Sequence, residues 1–111
     1  MGNCIFCSIA AGEIPATRVF EDEQVVVFRD IQPKASVHLL LIPKKHISSL
    51  MELNRGDDAL MAHMMALLPE LARAEGLEQG FRTIINTGKM GGQEVFHLHI
   101  HLLGGSNLPG F

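Results

Sequence analysis

The sequence has no Trp and no Tyr, and aromatic residues make up only 5% of its 111 positions. The large side chains of any core must therefore be Leu, Ile, Val, Met and the six Phe. No block of like charge is present and the formal net charge is −3. A binder of nucleic-acid backbone carries a basic stripe, so that class is set aside. No apolar run approaches the roughly 18 residues of a membrane-spanning helix, and no export signal is recognisable. The opening Met1-Gly2-Asn3-Cys4 lacks the rest of an N-myristoylation motif, because its sixth position is Phe6 rather than Ser or Thr. Cysteine is scarce as well. With a cytoplasmic location expected, Cys4 and Cys7 are read as reduced thiols or metal ligands before they are read as a disulfide. Repeats, low-complexity tracts and linkers are missing, which leaves one domain over residues 1–111.

Apolar residues at 47% and charged residues at 19% suit a folded chain with one core. Residues 5–11 carry Ile5, Phe6, Ile9 and Ala10 at helical spacing and stop at Gly12, which predicts a short helix. Arg18–Glu21 and Val25–Arg29 read as a hairpin around Asp22-Glu23-Gln24. Ser36–Pro43 reads as a central strand covered on both faces. Asp57–Glu75 carries a stripe of Leu60, Met64, Leu67, Leu68 and Leu71 and is the one long helix. Pro69 lies inside it and predicts a kink or a new turn. Gly80–Asn86 is a fourth strand, residues 87–92 form a glycine-rich loop, and Val95–Leu103 is the last strand. Five strands without regular βαβ alternation predict an α+β domain with a mainly antiparallel sheet, one long helix and a short N-terminal helix.

The segment Phe96-His97-Leu98-His99-Ile100-His101-Leu102-Leu103 is the most informative. On a strand, His97, His99 and His101 share one face at about 6.5–7 Å spacing, and Leu98, Ile100 and Leu102 cover core on the other. Three histidines left there without partners would each carry a desolvation cost. Two chemistries fit such a row. One is a three-histidine metal site. The other is attack of a neutral imidazole on phosphorus. The Cys4-x-x-Cys7 pair by itself points to no single chemistry: it lacks a thioredoxin-like context, and a closed zinc site needs two further ligands.

The run His97-Leu98-His99-Ile100-His101-Leu102-Leu103 resembles the signature of the histidine triad (HIT) nucleotide-binding proteins. Several other blocks resemble that family in the same order: Cys4-Ile5-Phe6-Cys7 with Gly12-Glu13-Ile14-Pro15, Phe28-Arg29-Asp30-Ile31, and His38 through His46. Asn86-Thr87-Gly88 and Gly91-Gly92-Gln93-Glu94 complete the likeness, which is nearest to the Hint branch of purine nucleoside phosphoramidate hydrolases. The resemblance implies a homodimer in which two five-stranded sheets join into one of ten. Its implied ligands are purine nucleoside monophosphates and their phosphoramidates, such as those of AMP with amines or with lysine, cleaved at the P–N bond.

By the same resemblance, His99 is the nucleophile, oriented by the backbone carbonyl of His97. His101 would bond the phosphate oxygens, His38 would support the site from the neighbouring strand, and Gln93 would donate to phosphate or leaving group. Asp30 is the implied ribose anchor, although alone it reads as a turn residue before Pro33. Phe6, Ile9, Phe28 and Ile31 resemble the walls around the base, and Asn86 and Gly92 the phosphate side. Some bacterial relatives complete a structural zinc site on the cysteine pair, which carries over to Cys4, Cys7, His46 and His97. No catalytic metal is implied. Two departures stand out: Glu94 takes a position often held by Ser, and the tail Ser106–Phe111 is short and lacks Trp. His63, on the long helix, is expected to be solvated. A nucleotide-binding regulatory or interaction module with incidental turnover is the alternative to a hydrolase.

Overall fold

The computed structural model describes residues 4–110. Met1, Gly2 and Asn3 of the rejected acylation motif, and Phe111 of the tail, lie outside the described residues. The elements in chain order are α1 (Ile5–Ala10), β1 (Arg18–Glu21), β2 (Val25–Arg29), β3 (Val37–Pro43), α2 (Asp58–Ala74), β4 (Arg82–Ile84) and β5 (Ile100–Gly104). The five strands make one antiparallel sheet in the order β1-β2-β3-β5-β4. The expected α+β class, strand number and two helices are thus what the chain forms. Among the described residues no helix is long and apolar enough to cross a membrane.

Strand alternation divides the core into two layers. Val25, Val27, Leu39, Leu41, Ile100 and Leu102 face α2, meeting Leu60, Met64, Leu67, Leu68 and Leu71. Each of those α2 side chains contributes roughly 1.5–3 kcal/mol by leaving water. Val26, Phe28, Leu40 and Ile42 face the opposite way and pack on Phe6 and Ile9 of α1. That second face is only partly covered by a six-residue helix, and the uncovered part is where the histidines stand. Arg18 bonds the Ile9 carbonyl and so ties the end of α1 to β1.

Four elements differ from expectation. Pro69 does not interrupt α2, which runs unbroken from Asp58 to Ala74. It sits on the exposed side, so the carbonyl of Met65, deprived of an intrahelical donor, faces water. Strand β4 is three residues rather than seven. His63 is not merely solvated, because its Nε2 lies 2.7 Å from Asp22 Oδ2, linking α2 to the β1–β2 turn. The largest difference is at the triad. Strand β5 begins only at Ile100, so His97 and His99 precede it. The ladder stops because Leu98 N–H donates to Ile47 O at 2.6 Å, outside the β3 register. Leu98, Ile100 and Leu102 nevertheless cover the α2 core as predicted.

Candidate functional site

The departure from regular strand gives each triad histidine its own environment. His97 is fully buried and its Nε2–H donates to Pro43 O at 2.8 Å. Its ring therefore does not join a uniform row with the others. His99 Nδ1–H donates to His97 O at 2.7 Å. The His99 and His101 rings lie 5.0 Å apart, closer than the spacing of a flat strand. Phe6 stands edge-on to His99 at 5.2 Å and to Phe28 at 5.5 Å, so α1 clamps the ring against the aromatic wall.

Fixed backbone groups assign the tautomers. A carbonyl can only accept, so His99 carries its proton on Nδ1 and keeps the Nε2 lone pair. Lys34 N–H donates to His38 Nδ1 at 3.0 Å, so His38 carries its proton on Nε2. That proton is directed at His101 Nδ1, 2.9 Å away, with Asp30 Oδ2 at 3.5 Å. His101 consequently bears its proton on Nε2. The site presents one imidazole with a free lone pair, His99, beside one that donates, His101. Burial holds His38 below the ordinary histidine range. Burial, then the neighbouring His99 and His38, pushes His101 down to about 4. Both rings are neutral at pH 7.

These groups open onto a cavity of about 580 Å³. Phe6, Ile9 and Phe28 form its apolar wall, with Ile5, Ile14 and Pro15 extending it. Asp30, His38, His99 and His101 lie along the floor, and Asn86, Gly92, Glu94 and Val95 form the loop wall. Asn86 has no side-chain hydrogen bond among the described residues and can bond a ligand. Gly92 has φ +89°, a conformation that favours glycine; space is not the reason, since a Cβ would meet Asn86 only at 3.9 Å. Asp30 serves the turn as well as the cavity: Oδ1 accepts from Gln32 N–H at 2.8 Å, and Oδ2 faces His38.

Two expected contributors stand elsewhere. Ile31 reaches the cavity rim but is 93% exposed, so it forms no closed wall. Gln93 is buried and turned away from the cavity. Its Oε1 accepts from Gly88 N–H at 2.8 Å, and its Nε2 donates to Ser48 O at 2.7 Å and Val95 O at 3.0 Å. Its three partners hold it as a brace for the glycine loop rather than as a donor to phosphate. Sequence reasoning missed Lys34, whose contribution is a backbone N–H and leaves no side-chain signature. It also missed Arg82 and Ile84, which reach the cavity because they face the same way as Leu103 and His101 across the β4–β5 register. Leu108 and Pro109 of the short tail line this same cavity.

Cys4, Cys7, His46 and His97 converge on one point, all four donor atoms within 4.8 Å of one another. His97 Nδ1 lies 3.3 Å from Cys4 Sγ, 3.5 Å from Cys7 Sγ and 3.3 Å from His46 Nδ1, and His46 Nδ1 lies 3.2 Å from Cys7 Sγ. The edges of a tetrahedral zinc site are about 3.6 Å for sulfur–nitrogen and about 3.3 Å for nitrogen–nitrogen, given ordinary zinc bond lengths. The bond from His97 Nε2–H to Pro43 O leaves the Nδ1 lone pair aimed at the centre, the usual outer support of a metal-bound imidazole. Burial, then the neighbouring Cys4, pushes the Cys7 thiol up to about 11, so a cation is needed to hold it as thiolate. The donor set fits zinc. A second cluster, Asp30, His38 and His101, does not fit a cation, because the His38 Nε2 facing it carries a proton.

Known proteins share both sequence and architecture. The chain is 59% identical over 104 residues to Protein HitA of Neisseria gonorrhoeae, covering 94% of this chain and 97% of that protein. A HIT family hydrolase from Legionella pneumophila superposes with a TM-score of 0.94 at 53% identity, covering 96% of each chain. A histidine triad protein from Clostridium difficile gives 0.96 at 45% identity, covering 100% of this chain and 97% of the other. A histidine triad nucleotide-binding protein from Candida albicans gives 0.83 at 30% identity, covering 98% and 85%. Residues 11–108 match the HIT domain, and the chain belongs to that family.

Proposed function

We propose that this protein binds purine nucleoside 5′-phosphoramidates and hydrolyses their P–N bond through a nucleotidyl-histidine intermediate on His99. The observation that carries the reading is the 2.7 Å bond from His99 Nδ1–H to His97 O, which leaves Nε2 as an unprotonated nucleophile facing the cavity. The Legionella relative is named a hydrolase and the Candida relative a nucleotide-binding protein, which supports the class.

The base packs between Phe6, Ile9 and Phe28, and the ribose hydroxyls bond Asp30. His99 Nε2 attacks phosphorus. The P–N bond breaks, and the nitrogen leaves with its electron pair and takes up a proton from solvent as the amine, a proton that the attacking water of the second step returns. Water then attacks the phosphorus of the nucleotidyl-histidine, releasing the nucleoside monophosphate and restoring the His99 lone pair. Throughout, His101 Nε2–H bonds a phosphoryl oxygen, held in its donor tautomer by His38. The imidazole is suited to both steps, as a nucleophile through its lone-pair nitrogen and as a good leaving group afterwards.

A zinc ion on Cys4, Cys7, His46 and His97 is structural in this account. It ties α1 to the segment before β5, and its four protein ligands leave no place for substrate. The edge strand β4 joins its counterpart in a second copy to make a ten-stranded homodimer, and the reduced thiols suit a cytoplasmic protein. The test is a panel of adenosine and guanosine phosphoramidates, assayed for amine release with and without chelator. Release of amine and monophosphate that survives brief chelation supports the reading. Nucleotide binding without hydrolysis on any substrate would leave a binding module instead.

A further inference from the structure

The α1 wall of the cavity is a helix of six residues, too short to be stable by itself, and it carries Phe6 and Ile9. Its position therefore depends on what holds its ends. The cluster of Cys4, Cys7, His46 and His97 lies at the first. At the other, Arg18 Nη2–H donates to Ile9 O, a carbonyl of the last turn, where a cation is favoured. Arg18 does not line the cavity itself. A break in the β1–β2 pairing brings it to α1. Glu21 pairs with Val26 and Phe20 with Val27, so unbroken alternation would set Arg18 opposite Arg29, on the α2 face. A bulge at Val19 sets it opposite Phe28 instead, on the face that α1 covers. Arg29 is left to the α2 face, where it pairs with Glu75 at 3.0 Å. The Arg18 guanidinium is fixed in turn by Glu21, whose Oε1 accepts from Nη1–H at 3.1 Å while its Oε2 accepts from Lys44 Nζ at 2.8 Å.

We propose that Arg18, aimed by the β1 bulge, is a positioning residue for the nucleotide site: it holds α1 closed against the sheet, so that Phe6 and Ile9 stand ready for the base. This role rests on the proposed seating of the base on that wall. Without the bond to Ile9 O, α1 samples open positions. A ligand that needs the wall must then close it, and its affinity falls in proportion to the closed fraction. A ligand without a base does not need the wall. The tautomer of His99 is set by His97 O, so turnover of bound substrate does not depend on Arg18.

The test is Arg18→Met, which keeps an apolar stem and removes the charge and the donors, with AMP and ribose 5-phosphate as ligands in NMR titrations. The variant is expected to bind AMP about three- to tenfold more weakly, the scale of one partly exposed charge-assisted hydrogen bond, and ribose 5-phosphate as the wild type does. KM for the phosphoramidates should rise by the same factor while kcat holds. Amide exchange over Ile5–Ala10 should quicken in the free variant and slow again with AMP. Arg18→Lys, which keeps a cationic donor, should recover most of the affinity. Arg18→Gln, with a neutral donor, should show the same base-dependent loss in smaller measure, and it carries the test if Arg18→Met does not fold. Unchanged AMP affinity, or a loss shared equally by ribose 5-phosphate, overturns the role of Arg18 and leaves the nucleotide reading intact. A wild type that binds AMP no more tightly than ribose 5-phosphate overturns the seating of the base on α1, and the role of Arg18 with it.

Discussion

His99 donates from Nδ1 to the carbonyl of His97 at 2.7 Å, so the residue whose ring faces the two cysteines also holds the tautomer of the proposed nucleophile through its backbone. The two roles use different atoms. The His97 ring belongs to the cysteine cluster and its carbonyl to the reaction site. A substitution that keeps a peptide at 97 but removes the ring is therefore expected to disturb the fold around Cys4 more than the orientation of His99.

Replacing His99 by Asn or Gly should lower phosphoramidate hydrolysis by several orders of magnitude while retaining nucleoside monophosphate binding. Attack needs Nε2, whereas affinity comes from Asp30 and the aromatic wall. Steady-state amine release beside equilibrium binding checks both parts, and near-wild-type turnover in either variant would contradict the role.

Asp30→Asn should weaken the choice of ribose over 2′-deoxyribose. The amide keeps the acceptor toward Gln32 N–H but loses the second carboxylate oxygen that faces the cavity. Discrimination against a missing hydroxyl depends on leaving a desolvated acceptor unpaired. Unchanged selectivity between the two nucleotides would remove Asp30 from the ribose site.

Gln93→Ala should cost stability rather than phosphate affinity. It leaves Gly88 N–H, Ser48 O and Val95 O without their side-chain partner, a loss of about 2–3 kcal/mol in urea unfolding. A variant of native stability with weakened monophosphate binding would restore the expectation, drawn from family likeness, that Gln93 donates to phosphate.

Acid should destabilise the protein through His101. The folded chain protonates this ring only near pH 4, whereas the unfolded chain does so at about 6.5, so the unfolded state binds more protons in between. The stability tied to the group is complete above about pH 6.5 and is lost as pH falls toward 4. His38, also held below its ordinary value, acts in the same direction. His101→Gln should flatten the loss measured by urea unfolding between pH 7 and pH 4.5, and parallel curves would contradict the assignment.

Removing the proposed zinc should lower the melting temperature by on the order of 10 °C or more, with a much smaller effect on the chemical step at a temperature where both forms are folded. Metal analysis of reduced protein should give one zinc per chain, falling to none in Cys4→Ala. A wild-type content near zero with both thiols freely titratable would remove the metal.

Much of this site was legible because local patterns carry it. The continuous apolar runs Val25–Phe28 and Leu39–Ile42 marked β2 and β3, the Leu60–Leu71 stripe marked α2, and the signature around His99 pointed to the cavity's proposed chemical side. What was not legible depends on long-range backbone partners. The bond from Leu98 N–H to Ile47 O takes His97 and His99 out of the strand, and no property of residues 97–99 announces it. Lys34 fixes His38 through a main-chain N–H that any residue but proline could supply. Gln93 has the chemistry of a phosphate donor, and only the carbonyls of Ser48 and Val95 reveal that it is already committed. The cysteine cluster came from likeness to relatives, since a lone pair of cysteines does not select its other ligands.

In the proposed mechanism phosphorus passes through a covalent bond to His99 before water reaches it. The stereochemical course at phosphorus tests this whether or not the intermediate accumulates. A nucleoside 5′-thiophosphoramidate of defined configuration, hydrolysed in oxygen-18 water, should give the labelled thiophosphate with net retention, the result of two in-line displacements. Net inversion would mean that water attacks the substrate directly, and His99 would then have no nucleophilic role.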